Sequence, residues 1–186
     1  TAVVGAIGAG FAAVPFIGSF KPSARAQTAG APVTVTIAKL DNEPNMRIIQ
    51  VWRGKPVWIF KRTPEQLAVL PGLNTRLADP NSTNVDQTPA FARNTDRTIK
   101  GTESIGVIVG ICTHLGCSPT YFPEMVPQPF DPEWQGGFYC PCHQSRFDMA
   151  GRVFKGVPAP SNLEVPPYHY PDDNTIVIGV APEGAV

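Results

Sequence analysis

Two short stretches of this chain decide its fold and its chemistry: residues 112–117 read Cys-Thr-His-Leu-Gly-Cys, and residues 140–145 read Cys-Pro-Cys-His-Gln-Ser. Together they contain all four cysteines of the chain and two of its three histidines. Each stretch offers one Cys and one His at a spacing that allows both to bind a metal, and each carries one further Cys. We therefore interpret them as the first and second ligand loops of a metal centre.

Two thiolates and two neutral imidazoles suit a [2Fe-2S] centre in which Cys112 and Cys140 hold one iron while His114 and His143 hold the other. This mixed ligation raises the reduction potential far above that of an all-cysteine ferredoxin. The same four groups could also bind Zn²⁺, and four cysteines could form a plain disulfide framework. Covalent haem attachment does not fit, because residues 140–143 are one residue short of the C-x-x-C-H pattern.

The two ligand loops resemble the cluster-binding boxes of the Rieske iron-sulfur proteins, and within that family the high-potential branch of the cytochrome bc complex. The resemblance is strong over about residues 105–180. It implies an all-β fold: a Rieske-type antiparallel β-sandwich head with a small cluster-binding subdomain at about 110–160, preceded by one N-terminal transmembrane helix. It also implies a disulfide between Cys117 and Cys142 that joins the two loops. Such a bridge favours the cluster over zinc, because a reduced cytosolic zinc site has no need of it.

The resemblance extends to residues around the centre. Ser145 matches a serine that bonds a bridging sulfide, and Leu115 matches an apolar residue that shields the cluster where a partner docks. Residues 156–160, Gly-Val-Pro-Ala-Pro, are similar to the proline loop that covers the cluster, with one extra residue. Two positions depart from the family pattern: Gln144 stands where a glycine is usual, and Phe147 where a tyrosine usually bonds a ligand sulfur. The missing hydroxyl predicts a lower potential than that of tyrosine-bearing relatives.

The function implied by the resemblance is that of a high-potential electron carrier. The outer ring nitrogen of His114 or His143, by analogy that of His143, would take one electron and one proton from ubiquinol, and the electron would pass to cytochrome c1. The chain would be a subunit of a proton-translocating quinol:cytochrome c oxidoreductase, with cytochrome b and cytochrome c1 as partners in a dimeric complex. The third histidine, His169, is not expected to be a ligand.

Two other functions stay open at this point. One is the Rieske subunit of another exported oxidoreductase, such as arsenite oxidase, and the other is a secreted, disulfide-stapled binding module without iron. The formal net charge of zero argues against nucleic-acid binding, since no excess of basic residues exists to neutralise phosphates.

The first 32 residues of the chain predict an anchor and a linker. Residues 1–20 contain no charge and could reach about 30 Å as a helix, which predicts a transmembrane anchor rather than a cleaved signal. Residues 21–32 are small and polar and predict a flexible hinge before a head over 33–186. The resemblance implies a single-pass protein of the bacterial inner membrane with a periplasmic head, exported by twin-arginine translocation.

Within the head, β-rich runs predict strands at 33–37, 46–52, 56–60, 105–111 and 175–180, with a further strand ending at 138–139. Gly54 should supply the turn between the second and third runs. Thr63 and Gln66 form a capping-box pattern that predicts a short helix, which Pro71-Gly72 should end. Residues 73–104 predict long connections that include a short helix.

Overall fold

The computed structural model describes residues 2–21, 30–43 and 45–184. It divides into two units, Thr1–Ala31 and Pro32–Val186. Most of the predicted hinge, residues 22–29, lies outside the described residues.

The first unit contains one helix, α1 (Ala2–Ser19), which confirms the helix predicted from the uncharged N-terminal sequence. Large apolar side chains such as Phe11 and Phe16 are exposed on it. Across residues 2–21, 30–43 and 45–184, no helix combines the length and the apolarity that crossing a bilayer requires. The membrane-spanning role of this segment therefore stays a prediction.

The second unit is built from three antiparallel sheets, which confirms the predicted all-β class. Its strands, over the described part of the chain, are β1 (Val33–Thr36), β2 (Arg47–Trp52), β3 (Lys55–Lys61), β4 (Ile105–Val109), β5 (Thr120–Phe122), β6 (Gly137–Tyr139), β7 (Arg146–Asp148), β8 (Tyr168–Asp172) and β9 (Thr175–Ile178). The sheet orders are β1-β9-β8, β2-β3-β4 and β5-β6-β7. The first and second sheets belong to the base of the head, and the third carries the ligand loops.

The central hairpin follows directly from its sequence. β2 pairs with β3 from Arg47 opposite Phe60 to Trp52 opposite Lys55, so only Arg53 and Gly54 form the turn. Both have positive φ, 51° and 73°, as a two-residue type I′ turn requires. Each residue of β4 is buried, as are four successive residues of β3, because this pair lies inside the core.

An aromatic contact connects the base to the sheet that carries the ligand loops. Trp58 of β3 stacks on Phe138 of β6, with ring centroids 5.3 Å apart and planes 24° apart. The Trp58 ring also lies against Gly110, where a Cβ atom would collide with it. Since β4 leads into the first loop and β6 into the second, this indole fixes the starting points of both.

The structure confirms the helix predicted after β3. The capping box is present: the Thr63 side chain accepts from Gln66 N, and helix α2 (Pro64–Val69) begins there. α2 ends just before Pro71 and Gly72, as predicted, and a 3₁₀-helix over Leu70–Arg76 follows it. A proline in the first turn of this helix costs no hydrogen bond, because its N–H would have had no partner there.

Residues 73–104 are held by buried arginines rather than by regular structure. The Arg97 guanidinium donates to the carbonyls of Leu163, Ala150 and Gly151 at 2.6, 3.1 and 3.3 Å. Arg152 pairs with Asp148 at 2.8 Å, and neither side chain is exposed. These contacts attach the long connection to the segment that follows the second ligand loop, which local sequence patterns did not reveal.

The buried Arg152–Asp148 pair should dominate the stability of this region. Arg152 also donates to the Leu70 carbonyl at 2.7 Å, so Arg152→Met removes the guanidinium from the buried Asp148 Oδ2 and from that carbonyl, while Asp148 Oδ1 keeps its two backbone donors. We expect the free energy of unfolding to fall by about 3–5 kcal/mol in urea titrations.

The matched control is Lys55→Met, which breaks the exposed pair with Glu164. It should cost at most about 1 kcal/mol, since solvent screens such pairs. Equal effects of the two substitutions would contradict the assignment of Arg152 as a buried anchor.

Candidate metal centre

The first ligand loop closes on itself through two backbone hydrogen bonds. Cys112 N donates to Cys117 O at 2.8 Å, and Gly116 N donates back to Cys112 O at 3.0 Å. Gly116 has φ of +82°, a left-handed conformation that glycine adopts without strain. The turn also brings the His114 backbone N–H to the Cys112 sulfur.

The second ligand loop repeats this pattern. Cys140 N donates to Ser145 O at 2.8 Å, and Gln144 N donates to Cys140 O at 2.9 Å. Gln144 therefore occupies the position that Gly116 occupies in the first loop, and its φ is +63°. A side chain in this conformation costs roughly 1–2 kcal/mol, yet the turn is kept. The departure from glycine changes the side chain and leaves the loop geometry in place.

The two loops are joined by the predicted disulfide between Cys117 and Cys142, whose Cα atoms lie 6.7 Å apart. The Sγ atom of Cys140 lies within 4.8 Å of both disulfide sulfurs. Because the two bridged cysteines are oxidised, they cannot supply thiolates, and only Cys140 in this sulfur group can bind a metal. The bridge therefore lies directly beside a candidate ligand.

Cys112 and Cys140 are free, buried thiols. Burial raises the pKa of Cys112, and the neighbouring Cys140 thiol adds to that rise, while the His114 backbone N–H and the Ser145 hydroxyl oppose it. In the absence of a metal the Cys112 thiol is therefore protonated at neutral pH, and metal binding must release this proton. The two thiols are neighbours, as shared ligation of one iron requires.

The candidate histidines meet edge to face. The ring centroids of His114 and His143 lie 4.7 Å apart, with planes at 87°. The Nδ1 atom of His114 is buried and has no hydrogen-bond partner within residues 2–21, 30–43 and 45–184. An orphaned buried ring nitrogen is costly unless something binds it. His143 is exposed, so its ring is accessible from outside.

These donors fit a [2Fe-2S] cluster. The two thiols are neighbours, the two imidazoles are neighbours, the buried Nδ1 of His114 has no partner among the described residues, and the disulfide joins the two loops. This set matches the sulfur ligation of one iron and the imidazole ligation of the other. By contrast, His169 lies on β8, with Nδ1 3.2 Å from Val180 O, and is not part of the set.

The structure shows the surroundings of Ser145, Thr113 and Leu115, the residues near the candidate donors. Ser145 is fully buried, and its Oγ accepts from Ala159 N of the proline loop at 3.0 Å. Thr113 Oγ1 donates to Ser161 O at 2.7 Å, which attaches the first loop to the end of the same segment. Leu115 is 70% exposed at the tip of the first loop.

Sequence reasoning missed a network in the long loop over 118–136. Asp131 is buried and accepts from Arg76 at 2.6 Å, and Arg146 Nη1 lies 3.4 Å from the same carboxylate oxygen. Next to it, the Phe130 ring stacks on Tyr139, with centroids 4.0 Å apart and planes 11° apart. No local pattern pairs an aspartate with arginines that are 55 residues before it and 15 after it.

Comparison with known proteins agrees with this geometry. The family "Rieske [2Fe-2S] domain" matches residues 77–168, and the "Ubiquitinol-cytochrome C reductase Fe-S subunit TAT signal" matches residues 1–23. The ubiquinol-cytochrome c reductase iron-sulfur subunit of Allochromatium vinosum is 55% identical over 96% of this chain and 84% of its own. The subunit of the same name from Bradyrhizobium diazoefficiens is 37% identical over 96% of this chain and 89% of its own.

Among solved structures, a chain of "Hyperthermophilic respiratory Complex III" covers 94% of this chain and 95% of its own, with a TM-score of 0.51. At 23% identity this likeness concerns the fold alone. Family membership rests on the sequence relatives, which cover nearly the whole chain at 55% and 37% identity. The chain belongs to the Rieske iron-sulfur subunits of ubiquinol-cytochrome c reductase.

Proposed function

We propose that this protein carries electrons from ubiquinol to cytochrome c1 through a high-potential Rieske [2Fe-2S] cluster. Cys112 and Cys140 would hold one iron, and His114 and His143 the other. The observation that carries this proposal is the meeting of two buried free thiols with two imidazoles between loops joined by a disulfide.

The exposure of each side chain indicates the role that we propose for it. When bound, the cluster supplies a one-electron couple whose oxidation state changes the acidity of its histidine ligands. His114 would bind through its buried Nδ1, which has no other partner among the described residues. His143 is exposed, so the outer nitrogen of its ring can accept a hydrogen bond from a quinol hydroxyl and take the proton. Leu115 excludes water from the docking surface.

The relatives and the match at residues 1–23 support the partners and the location that we propose. We infer that cytochrome b and cytochrome c1 bind the head, and that the complex is a dimer. The likeness of residues 1–23 to a twin-arginine signal supports export of the head. In this proposal residues 1–20 anchor it in the bacterial inner membrane by a single pass, 21–32 are the hinge, and 33–186 form the periplasmic head.

The other functions have weaker support. Identity of 55% over 96% of the chain favours the bc complex over arsenite oxidase. If the chain were a binding module without iron, its two buried free thiols and the buried His114 Nδ1 without a partner among the described residues would have no explanation.

Electron paramagnetic resonance of the ascorbate-reduced protein tests the proposal. In the assembled complex, we expect a signal from the mixed-ligand cluster that shifts when a quinol-site inhibitor binds, because the inhibitor replaces the contact with the exposed histidine. Iron-free, colourless protein would overturn the cofactor assignment. A normal signal that no quinol-site inhibitor alters would contradict the quinol contact.

Phe147→Tyr tests how second-shell hydrogen bonds set the potential. Phe147 is fully buried on β7. In the family the tyrosine usual at this position bonds a ligand sulfur, so a hydroxyl added to Phe147 should make the same hydrogen bond. A hydrogen bond to an anionic sulfur is worth about 1.5 kcal/mol, so we expect the midpoint potential to rise by on the order of 60 mV in protein-film voltammetry.

Phe138→Tyr is the matched control, because it adds the same hydroxyl to the neighbouring strand among the rings of Trp58, Phe60 and Tyr121. It should leave the potential nearly unchanged. A neutral or lowered potential in Phe147→Tyr would refute the tuning role.

Replacing both Cys117 and Cys142 by serine tests whether the disulfide holds the two ligand loops in place. The bridge connects residues 25 positions apart, and its loss should lower the free energy of unfolding by about 3 kcal/mol. We also expect a large loss of bound iron per protein, because the loops are no longer held at ligand distance. Reducing the wild-type bridge with a thiol should reproduce both effects, whereas full iron content in the double variant would contradict the role.

A further inference from the structure

The proline loop (156–160) lies within a segment that runs from the buried Val153 to the buried Asn162. One side chain holds the two ends of this segment together, because Val153 N donates to Asn162 Oδ1 at 2.8 Å. Asn162 is only 1% exposed, so water does not compete for this hydrogen bond. The Asn162 amide therefore closes the base of the loop over 153–162.

The nitrogen of the same amide attaches this base to the long middle connection. Asn162 Nδ2 donates to the Asp79 carbonyl at 3.0 Å and to the hydroxyl of the fully buried Ser82 at 3.3 Å. The oxygen and both amide hydrogens thus bind partners from two separate segments. Removal of the amide would leave the buried Val153 N–H without an acceptor, and nothing else at Asn162 would hold the two ends together.

The closed loop makes one hydrogen bond toward the site. Ala159 N donates to Ser145 Oγ at 3.0 Å, and both residues are buried. Because the oxygen of this hydroxyl accepts from the loop, the proton of the hydroxyl is left for another acceptor. Ser145 also hydrogen-bonds Cys112, the buried thiol of the first ligand loop. The loop is therefore connected to a candidate ligand through one hydroxyl group.

We propose that Asn162 is a positioning residue that sets the reduction potential of the site through the proline loop. It keeps the loop closed, the closed loop holds the Ala159 N–H against Ser145, and this contact keeps the serine hydroxyl directed at sulfur. A hydrogen bond to sulfur stabilises the electron-rich reduced form, so an open loop lowers the potential. This inference rests on the proposed function, which places a cluster between the ligand loops.

Amide hydrogen exchange of the full chain tests the first step without any electron transfer. In Asn162→Ala the Ala159 amide should exchange at least about tenfold faster, because the loop opens more often. Mass spectrometry of peptides that cover 156–161 reads this position well, since Pro158 and Pro160 on either side have no N–H.

The matched control is Asn94→Ala, which removes an amide from the same middle connection. Asn94 Oδ1 accepts from Arg97 N and Thr98 N at 2.7 and 3.3 Å and so closes a local turn. Its loss should leave exchange at Ala159 at the wild-type rate, because no hydrogen bond of the Asn94 side chain reaches the proline loop within the described residues.

Protein-film voltammetry tests the second step. At a fixed applied potential, the ratio of reduced to oxidised cluster should fall about fivefold in Asn162→Ala, which is about 40 mV for a one-electron couple. Asn94→Ala should leave this ratio unchanged. A double-mutant cycle with Ser145→Ala identifies the route: once the serine hydroxyl is absent, Asn162→Ala should shift the potential no further.

Ala159 exchange at the wild-type rate, an unchanged potential, or additive shifts in the cycle would each overturn the proposal. If Asn162→Ala does not accumulate as folded protein, Ser82→Ala decides the question, because it removes only the longest of the three hydrogen bonds. It should speed exchange at Ala159 by about threefold and lower the potential by less. Failure of the proposed function looks different: the wild-type protein itself would then contain no iron, while exchange at Ala159 could still be measured.

Discussion

The disulfide between Cys117 and Cys142 is the constraint on which the rest of the site depends. Each ligand loop is a closed turn with the same two backbone hydrogen bonds, and each leaves one cysteine free and one histidine on its surface. Separately, neither loop offers more than two ligands. The covalent bridge holds the two similar turns together, so that four candidate donors belong to one site, with the two thiols buried and His143 exposed.

The cage is positioned by packing that lies beneath it. Trp58 contacts Gly110 before the first loop and Phe138 before the second, so a single indole sets where both loops start. Behind them, Arg97 and Arg152 bind carbonyls from distant segments and hold the long middle connection against the head. Buried guanidiniums suit this task because their five donors can satisfy several irregular backbone groups at once.

The burial pattern supports the coupling of electron and proton transfer in the proposed function. The two thiols are buried, whereas His143 is exposed. In that proposal a proton would therefore enter or leave at the exposed histidine, where the electron donor would also bind. The long loop, held by Asp131 and stacked on Tyr139 through Phe130, adds further walls beside that point.

The sequence by itself determined the donors, the family and most strands of the base. Ligand spacing is local, alternation marks strands such as β1, and the Thr63 capping box is complete within four residues. Only the tertiary structure decided the short strands β5, β7 and β8, the 3₁₀ continuation through Pro71, and the Asp131 network. The physical reason is range: turns and caps are formed by neighbouring residues, whereas three-residue strands and buried ion pairs gain their stability from partners dozens of residues away.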